Sequence, residues 1–228
     1  HFMAASDGSM NDKPPENAEG VVDAEVAEAA AVDTVMNPST SLVDKHPLHH
    51  MWVLWYDNPG SKRVSQDRWF QHMKRIAHFN TVEDFWGIYN NIRPPSRLAM
   101  GSNYHLFKQG IQPMWEDATN SNGGKWVYNI PKKQKEAVDD VWLHSILALI
   151  GENFDEGEEI CGCVASVRKS QDRIAVWTKN WSAETVCRSI GQQMKQFLEL
   201  GPAQPIGYVA HQDALKRTSS VSRNRYEL

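Results

Sequence analysis

The fold is decided by ICGCVASVRKSQDRIAVWT (160–178), in which the apolar runs 160–167 and 173–178 flank the polar turn RKSQD. Two short apolar, β-rich runs around a polar connection are typical of a β-hairpin. Moving outward, further alternating or aromatic segments predict more strands: MWVLWYD (51–57), YHLFK (104–108), KWVYNI (125–130) and IGYVA (206–210). The sequence therefore predicts a sheet that is largely antiparallel.

Three segments have the period of an amphipathic helix. The first runs from Thr81 to Asn91, where Thr81 is the expected N-cap, Asp84 completes a capping-box-like pair, and RPPS (93–96) ends the helix. The others run from Glu136 to Ile150 and from Ala183 to Leu200. Hairpins interleaved with three helices predict an α+β fold in which the helices cover one face of the sheet. The other face is then open to a ligand.

Charge divides the chain into two parts. Residues 1–45 carry nine acidic and two basic residues, whereas residues 46–228 carry 19 acidic and 22 basic residues. Residues 3–44 contain no aromatic residue, so the sequence predicts an acidic, disordered tail over residues 1–45. His1 and Phe2, ahead of Met3, are interpreted as a remnant of cloning. A mildly basic domain over residues 46–228 is compatible with a phosphate-bearing ligand.

The three cysteines predict a reducing compartment. Cys161 and Cys163 flank one glycine, so on a regular strand they would share a face, and this spacing is not that of a zinc site. With Cys187 they are expected to be reduced residues in or near the core. No signal peptide or apolar run of about 20 residues is evident. We therefore expect a chain in the cytosol or the nucleus, without a membrane segment.

Several motifs, in order, resemble the eukaryotic translation initiation factor 4E family over about residues 46–228. PMWED (113–117) and TVEDFW (81–86) are the most specific of them. The resemblance implies a curved antiparallel sheet of eight strands backed by three helices on the convex face, with the 7-methylguanosine cap of mRNA bound in the concave face. The other matching segments are HPLHHMWVLWY (46–56), YHLFKQGIQ (104–112), GGKWVYNI (123–130), VWLHSILALIGE (141–152), VRKSQDRIAVWT (167–178) and RNRY (223–226).

The resemblance assigns the methylated base to two of the nine tryptophans. Trp69 and Trp115 match the family's stacking pair, which would sandwich the positively charged base by stacking and cation–π attraction. Glu116 would accept hydrogen bonds from the N1–H and the exocyclic amine of guanine, a donor pair that adenine lacks. Trp177 matches a residue that touches the N7-methyl group in the family, although its alternation within IAVWT is equally consistent with a core position.

Basic residues are expected to hold the triphosphate. Arg168 and Arg173 match the family's phosphate-binding positions. Lys169, Lys216 and Arg217 are further candidates, for which a role in surface solubility is the alternative. The chain departs from the commonest family pattern at three positions. Ser166 stands where many members have Asn, Asn103 where many have Asp, and Ala214 where a small polar residue is usual.

A second surface is expected on the helices, where the resemblance implies a site for a partner helix carrying Tyr, four residues, Leu and an apolar residue. Trp86 follows Phe85 directly, so both cannot face the core, and one aromatic ring should be exposed. The implied partners are the scaffold initiation factor 4G and 4E-binding repressor proteins. The matching positions are His46, Pro47, Leu48, Val82, Trp86, Leu143 and Leu147.

The sequence favours a monomeric cap-binding factor over two alternatives. The sequence shows no phosphate-binding glycine loop, no metal-ligand spacing and no nucleophile with an adjacent base. We therefore predict that the chain is not an enzyme and has no cofactor and no metal site. A cap-binding repressor paralogue is disfavoured by tryptophan at position 69, where repressor-type relatives often carry another aromatic. A cap hydrolase is disfavoured because the chain lacks the clustered carboxylates that would hold a catalytic metal.

Overall fold

An eight-stranded antiparallel sheet forms the framework of the chain. The computed structural model describes residues 44–58, 73–133, 137–215 and 224–228, all within one compact unit, Asn37–Leu228. The strands lie in the order β2-β1-β3-β5-β6-β4-β7-β8. Their bounds are β1 Pro47–Asp57, β2 Lys74–Thr81, β3 Asn103–Lys108, β4 Gly124–Pro131, β5 Ile160–Ser166, β6 Gln171–Thr178, β7 Ile206–Ala210 and β8 Tyr226–Glu227.

Three long helices share one core with the sheet. They are α1 Val82–Tyr89, α2 Ala137–Ile150 and α3 Glu184–Phe197. A fourth, five-residue helix, α4 His211–Leu215, follows β7 directly and adds to the three that the sequence predicted. Single 3₁₀ turns occur at Pro95–Arg97 and Gly157–Glu159. Of the described helices, none is long and apolar enough to cross a membrane.

Strand alternation separates two faces of the sheet. On β4, Trp126, Tyr128 and Ile130 are buried in the main core beneath the helices. Lys125 and Val127, which alternate with them, point to the opposite face. On that face lies a smaller apolar cluster, which includes Phe107 and Trp177. It contains no residue of the helices that cover the main core. The three long helices thus occupy one face, as predicted, and they leave the concave face open.

The first helix begins as its sequence predicts. The Asp84 backbone N–H donates to Thr81 Oγ1 at 3.2 Å, and the Thr81 hydroxyl donates to the Asp84 carboxylate at 2.7 Å. The carboxylate therefore reaches back to the hydroxyl of the N-cap residue. The helix ends two residues earlier than predicted, at Tyr89, with Asn90 as its C-cap.

One sequence expectation about the cysteines was wrong. All three are free and buried, as predicted, but Cys161 lies in the small cluster on the concave face and Cys163 in the main core. A register shift between β5 and β6 falls between Ile160 and Gly162. Such an irregularity interrupts the two-residue alternation, so residues two apart no longer share a face.

Strands β2 and β8 were not predicted from local sequence patterns, and the elements that were predicted differ mainly at their ends. β1 begins at Pro47 rather than at residue 51, and α3 ends at Phe197 rather than at residue 200. The predicted disorder of residues 1–45 falls almost entirely on residues outside the described ranges. That prediction and the domain boundary at residue 46 both stay predictions.

Candidate functional site

The concave face holds a cavity of about 440 Å³. Strands β4, β5, β6 and β7 form its floor, and residues after β7 contribute to its wall. Predicted site residues Arg168, Arg173 and Trp177 all line it, as do Ser166 and Ala214, two of the positions that depart from the family pattern. The remaining lining residues are Lys125, Val127, Asn129, Val164, Ala175, Gly207, Val209 and Asn224.

Three cations give this cavity a positive character. Arg168 and Arg173 bracket the β5–β6 turn, and Lys125 joins them from β4. Burial, together with the guanidiniums of Arg173 and Arg168, lowers the pKa of the Lys125 ammonium to about 8. Burial and Arg173 also lower the pKa of Arg168. Like charges are held together here at an electrostatic cost, which an anionic ligand would relieve.

Sequence reasoning missed Lys125 and Asn129. The signal was present, since Lys125, Val127 and Asn129 alternate with the buried aromatic and aliphatic side chains of the same strand. Knowing which face of β4 borders the ligand requires the pairing of Asn129 with Arg173 and of Lys125 with Trp177.

Trp177 marks the apolar end of the cavity. It is 7% exposed and packs edge-on against Phe107, at 5.4 Å between ring centroids. The Lys125 ammonium lies 5.5 Å from the centroid of the Trp177 ring. The centroid of the His211 ring, on α4, lies 4.2 Å from that of Trp177. Four residues of extended strand, about 13 Å, separate Trp177 from Arg173. Both readings of Trp177, core residue and cavity wall, therefore describe its position.

The loop that carries Trp115 and Glu116 joins β3 to β4. Its shape is fixed by the fully buried Asn120, whose amide donates to the carbonyl oxygens of Gln112 and Met114 at 2.7 and 2.8 Å. Trp115 is half-buried and Glu116 exposed. Neither residue lines the described cavity.

Ile111 of the same loop packs against the cluster around Phe107 and Trp177. The loop therefore lies at the Trp177 end of the cavity, away from the arginines. The backbone N–H of Trp115 donates to no group in the part of the chain that the structure describes. It is thus available to a ligand.

Four further residues were predicted to contact the ligand, and the structure does not place any of them in the cavity lining. Lys169 is exposed in the β5–β6 turn and does not line the cavity. Trp69, Lys216 and Arg217 lie outside the described ranges. Their roles stay predictions.

The predicted partner surface combines the start of β1 with α1 and α2. Trp86 is 36% exposed and Val82 37%, whereas Phe85 between them in the helix is 3% exposed. The sequence argument that only one of the adjacent aromatic residues faces the core is thus confirmed. His46 and Pro47 are exposed, and Leu48, Leu143 and Leu147 are half-buried against the main core.

Hydrogen bonds fix the start of β1 to the N-terminus of α1. The Val82 N–H donates to the His46 carbonyl oxygen at 2.9 Å, and the His46 N–H donates to the Glu83 carboxylate at 2.9 Å. His46 Nδ1 lies 2.6 Å from the same carboxylate. This bond is the main reason why the pKa of Glu83 falls to about 2. Residues 46–48 and the exposed side of α1 are therefore held as one surface.

One cluster offers metal-binding atom types. His49, His50 and Glu158 each offer one atom, and these atoms lie within 4.8 Å of one another. The nearby Lys108 ammonium lowers the pKa of Glu158, and His50 Nε2 lies 3.2 Å from its carboxylate. The Lys108 ammonium already compensates the Glu158 charge, so no cation is needed to explain the cluster.

An open concave sheet with a basic end and an aromatic end defines a protein built to hold a flat base joined to an anionic chain. The sequence profile described as eukaryotic initiation factor 4E matches residues 47–226. The chain therefore belongs to the eukaryotic initiation factor 4E family.

Plant relatives cover nearly the whole chain. Eukaryotic translation initiation factor 4E-1 of Phaseolus vulgaris is 44% identical over 218 residues, which is 96% of this chain and 90% of the relative. Factor 4E-2 of Solanum lycopersicum is 45% identical over 196 residues, 86% of each chain.

Solved structures of animal relatives have the same fold. Ascaris suum eIF4E-3 in complex with an m2,2,7G cap is 40% identical, with a TM-score of 0.73 over 81% of this chain and 98% of that one. C. elegans eIF4E-3 in complex with the 4E-binding protein Mextli and a cap analog is 37% identical, with a TM-score of 0.72 over 81% and 99%. A schistosome eIF4E in complex with m7GpppG and 4E-BP is 30% identical, with a TM-score of 0.73 over 81% and 100%.

Proposed function

We propose that this chain binds the 7-methylguanosine cap of mRNA and recruits a scaffold initiation factor to start cap-dependent translation. The observation that carries the proposal is the concave cavity, with Trp177 at one end, Arg168 and Arg173 at the other, and a third cation, Lys125, beside Trp177. Solved relatives of the same family were crystallised with cap ligands and 4E-binding proteins.

At the aromatic end, the ligand would be a base that carries positive charge. Trp115, on a loop fixed by buried hydrogen bonds, would stack on one face of the 7-methylguanine, and Trp69 would cover the other. Each cation–π contact contributes about 0.5–2 kcal/mol, more where water is excluded. Glu116 would accept from the guanine N1–H and amine, and the Trp115 N–H would meet O6.

At the basic end, the ligand would be the triphosphate. Arg168 and Arg173 would contact it there, and Lys125 would reach it from beside Trp177. Charge-assisted hydrogen bonds to phosphate oxygens are stronger than neutral ones. Lys125 has a lowered pKa when the cavity holds no anion. A bound phosphate raises the pKa of a neighbouring ammonium, so binding and protonation of Lys125 would favour each other.

On the other side of the sheet, the surface around Trp86 and Val82 would receive an amphipathic partner helix. Exposed aromatic side chains beside apolar neighbours are typical anchors of helix-in-groove contacts. Because the helices lie behind the sheet, one molecule would hold an mRNA cap and a partner at the same time. That arrangement is a bridge, and it requires no chemical step. We propose accordingly that the chain is not an enzyme, and that it acts in the cytosol or nucleus, where its buried free cysteines would stay reduced.

The test is a fluorescence titration of the full chain with 7-methyl-GTP and with GTP. The two ligands stack with nearly the same area, but only the first carries the positive charge. We expect 7-methyl-GTP to bind at least about tenfold more tightly, which corresponds to one or two cation–π contacts. Equal affinities would contradict the proposal.

A matched pair of tryptophan variants tests which tryptophan is responsible for the preference for the methylated ligand. Trp115→Leu should reduce the preference for the methylated ligand. Trp181→Leu should keep it, because Trp181 is also half-buried but stacks on Arg225, with the guanidinium 3.7 Å from its ring, and does not line the cavity. Thermal unfolding of each variant checks that it is folded.

A further inference from the structure

Four side chains form a buried polar network behind the basic end of the cavity. Asp57 is fully buried at the end of β1, opposite Asn103 on β3. The Asn103 amide nitrogen donates to both Asp57 oxygens, at 2.9 and 3.1 Å. His105 Nε2 lies 2.6 Å from Asp57 Oδ1. The Asn103 carbonyl oxygen, in turn, accepts from Arg168 Nη2 at 2.7 Å.

The remaining bonds of Arg168 hold its guanidinium in one place. Nη1 donates to the carbonyl oxygens of Val167, Ser102 and Gly101 at 2.9, 3.2 and 3.3 Å. A guanidinium has five N–H donors. The Nε–H and one Nη2–H therefore have no partner among the described residues and are available to an anion in the cavity that Arg168 lines.

We infer that Asp57 is a positioning residue for the phosphate-binding guanidinium of Arg168, acting through the amide of Asn103. This inference deepens the proposed function and rests on it. An ionised carboxylate can only accept hydrogen bonds. Asp57 thereby forces Asn103 to turn its NH₂ group toward β1 and its carbonyl oxygen toward Arg168. Asp57 thus stands across β3 from the buried guanidinium, whose charge it helps to balance together with Asp172, and a neutral amide transmits its effect.

The substitution Asp57→Asn removes the carboxylate that sets the orientation of the Asn103 amide, and it keeps the size and shape of the side chain. The introduced amide replaces one of the two Asp57 oxygens that accept from the Asn103 NH₂ by a donor. If the Asn103 amide then turns over, it places a donor against the Arg168 Nη2 donor. Two donors facing each other in a buried site lose a hydrogen bond and leave polar groups unsatisfied. The Arg168 guanidinium would leave its present position, and the phosphates would lose a contact with a fixed side chain.

A purely electrostatic role for Asp57 predicts the opposite sign. A negative charge near the phosphates repels them, so removing it would tighten binding of the triphosphate. A purely structural role predicts that the affinity for every ligand falls by the same factor. The direction and the phosphate dependence of the change therefore separate the three roles.

The experiment compares Asp57→Asn with the wild-type chain, using 7-methyl-GTP and the phosphate-free nucleoside 7-methylguanosine. We expect Asp57→Asn to weaken 7-methyl-GTP binding roughly tenfold, the loss of one hydrogen bond to a charged group. Binding of 7-methylguanosine should change by less than about twofold. Asp140→Asn, an exposed change on α2, is the control and should alter neither affinity.

The reciprocal double variant Asp57→Asn, Asn103→Asp gives the decisive rescue. It returns a carboxylate to the network, directly against Arg168, and should restore most of the 7-methyl-GTP affinity. If Asp57→Asn does not fold, Asn103→Ala breaks the same link nearer the arginine and should give the same phosphate-dependent loss.

Three results would overturn the inference alone: unchanged or tighter 7-methyl-GTP binding by Asp57→Asn, an equal loss for nucleoside and nucleotide, or no rescue in the double variant. A wild-type chain that binds 7-methyl-GTP no better than GTP would instead overturn the proposed function, and the inference with it.

Discussion

Replacing Trp86 by alanine tests whether the helix-bearing side of the molecule is a partner surface. Trp86 is 36% exposed, so about 90 Å² of a residue with roughly 250 Å² of surface is available to a partner. At about 25 cal/mol per Å², covering that area contributes about 2 kcal/mol, which is the range of an interface hot spot. We therefore expect Trp86→Ala to weaken binding of a peptide with the Tyr-x4-Leu-apolar pattern about 30-fold.

The same substitution should leave ligand binding in the concave face nearly unchanged. The buried part of the Trp86 indole packs edge-on against Phe85 and Tyr89 of its own helix, at 4.9 and 5.8 Å. Its removal should cost only about 1–2 kcal/mol of stability, because no enclosed cavity is left behind. Phe85→Ala is the matched contrast. Phe85 is 3% exposed, and its loss should cost about 3–5 kcal/mol of stability and lower both activities together.

Three measurements on each variant decide the matter: the melting temperature, peptide affinity and 7-methyl-GTP affinity. Loss of peptide binding alone supports a partner anchor. A Trp86→Ala variant that binds the peptide like the wild type, or that loses ligand and peptide in step with its melting temperature, would show that Trp86 is not a partner anchor.

Two further outcomes follow from single residues. Glu116→Gln should weaken 7-methyl-GTP binding at neutral pH by about 1–3 kcal/mol, because glutamine leaves one guanine donor unpaired; wild-type affinity in the titration would mean that Glu116 is only a surface acid. Burial, and to a lesser extent Lys125, lowers the pKa of His211 to about 3. The unfolded chain therefore takes up a proton first as the pH falls below about 6.5. The free energy of unfolding should then fall by about 2 kcal/mol between pH 7 and pH 5 through this residue. Urea unfolding of His211→Gln should lack that part of the decline, and an unchanged pH dependence would contradict the assignment.

Local patterns in the sequence predicted the elements whose residues reveal their own environment. Thr81 with Asp84 fixed the start of a helix, and the adjacency of Phe85 and Trp86 required one exposed aromatic. Strand β2 was missed because KRIAHFNT (74–81) begins with two charged residues, and only Phe79 is deeply buried at this edge of the sheet.

Features that depend on register could not be read from the sequence. The pairing of Asp57 with Asn103 joins residues 46 positions apart, and nothing near either residue signals the other. Lys125 showed the correct alternation, but only its pairing with Trp177 places it beside the cavity. The separation of Cys161 and Cys163 follows from a strand irregularity that residue type does not encode. Long-range pairing, rather than local propensity, therefore sets the details of the site.

The strand order has a consequence for how the chain acquires its structure during synthesis. β4 lies between β6 and β7, and both of its neighbours come later in the chain. A ribosome that has released residues up to Pro131 has produced a strand with neither partner available. Such non-local pairing slows folding and exposes unpaired edges to aggregation. Because β7 supplies Gly207 and Val209 to the cavity wall, the binding cavity is completed only after residue 209 has left the exit tunnel.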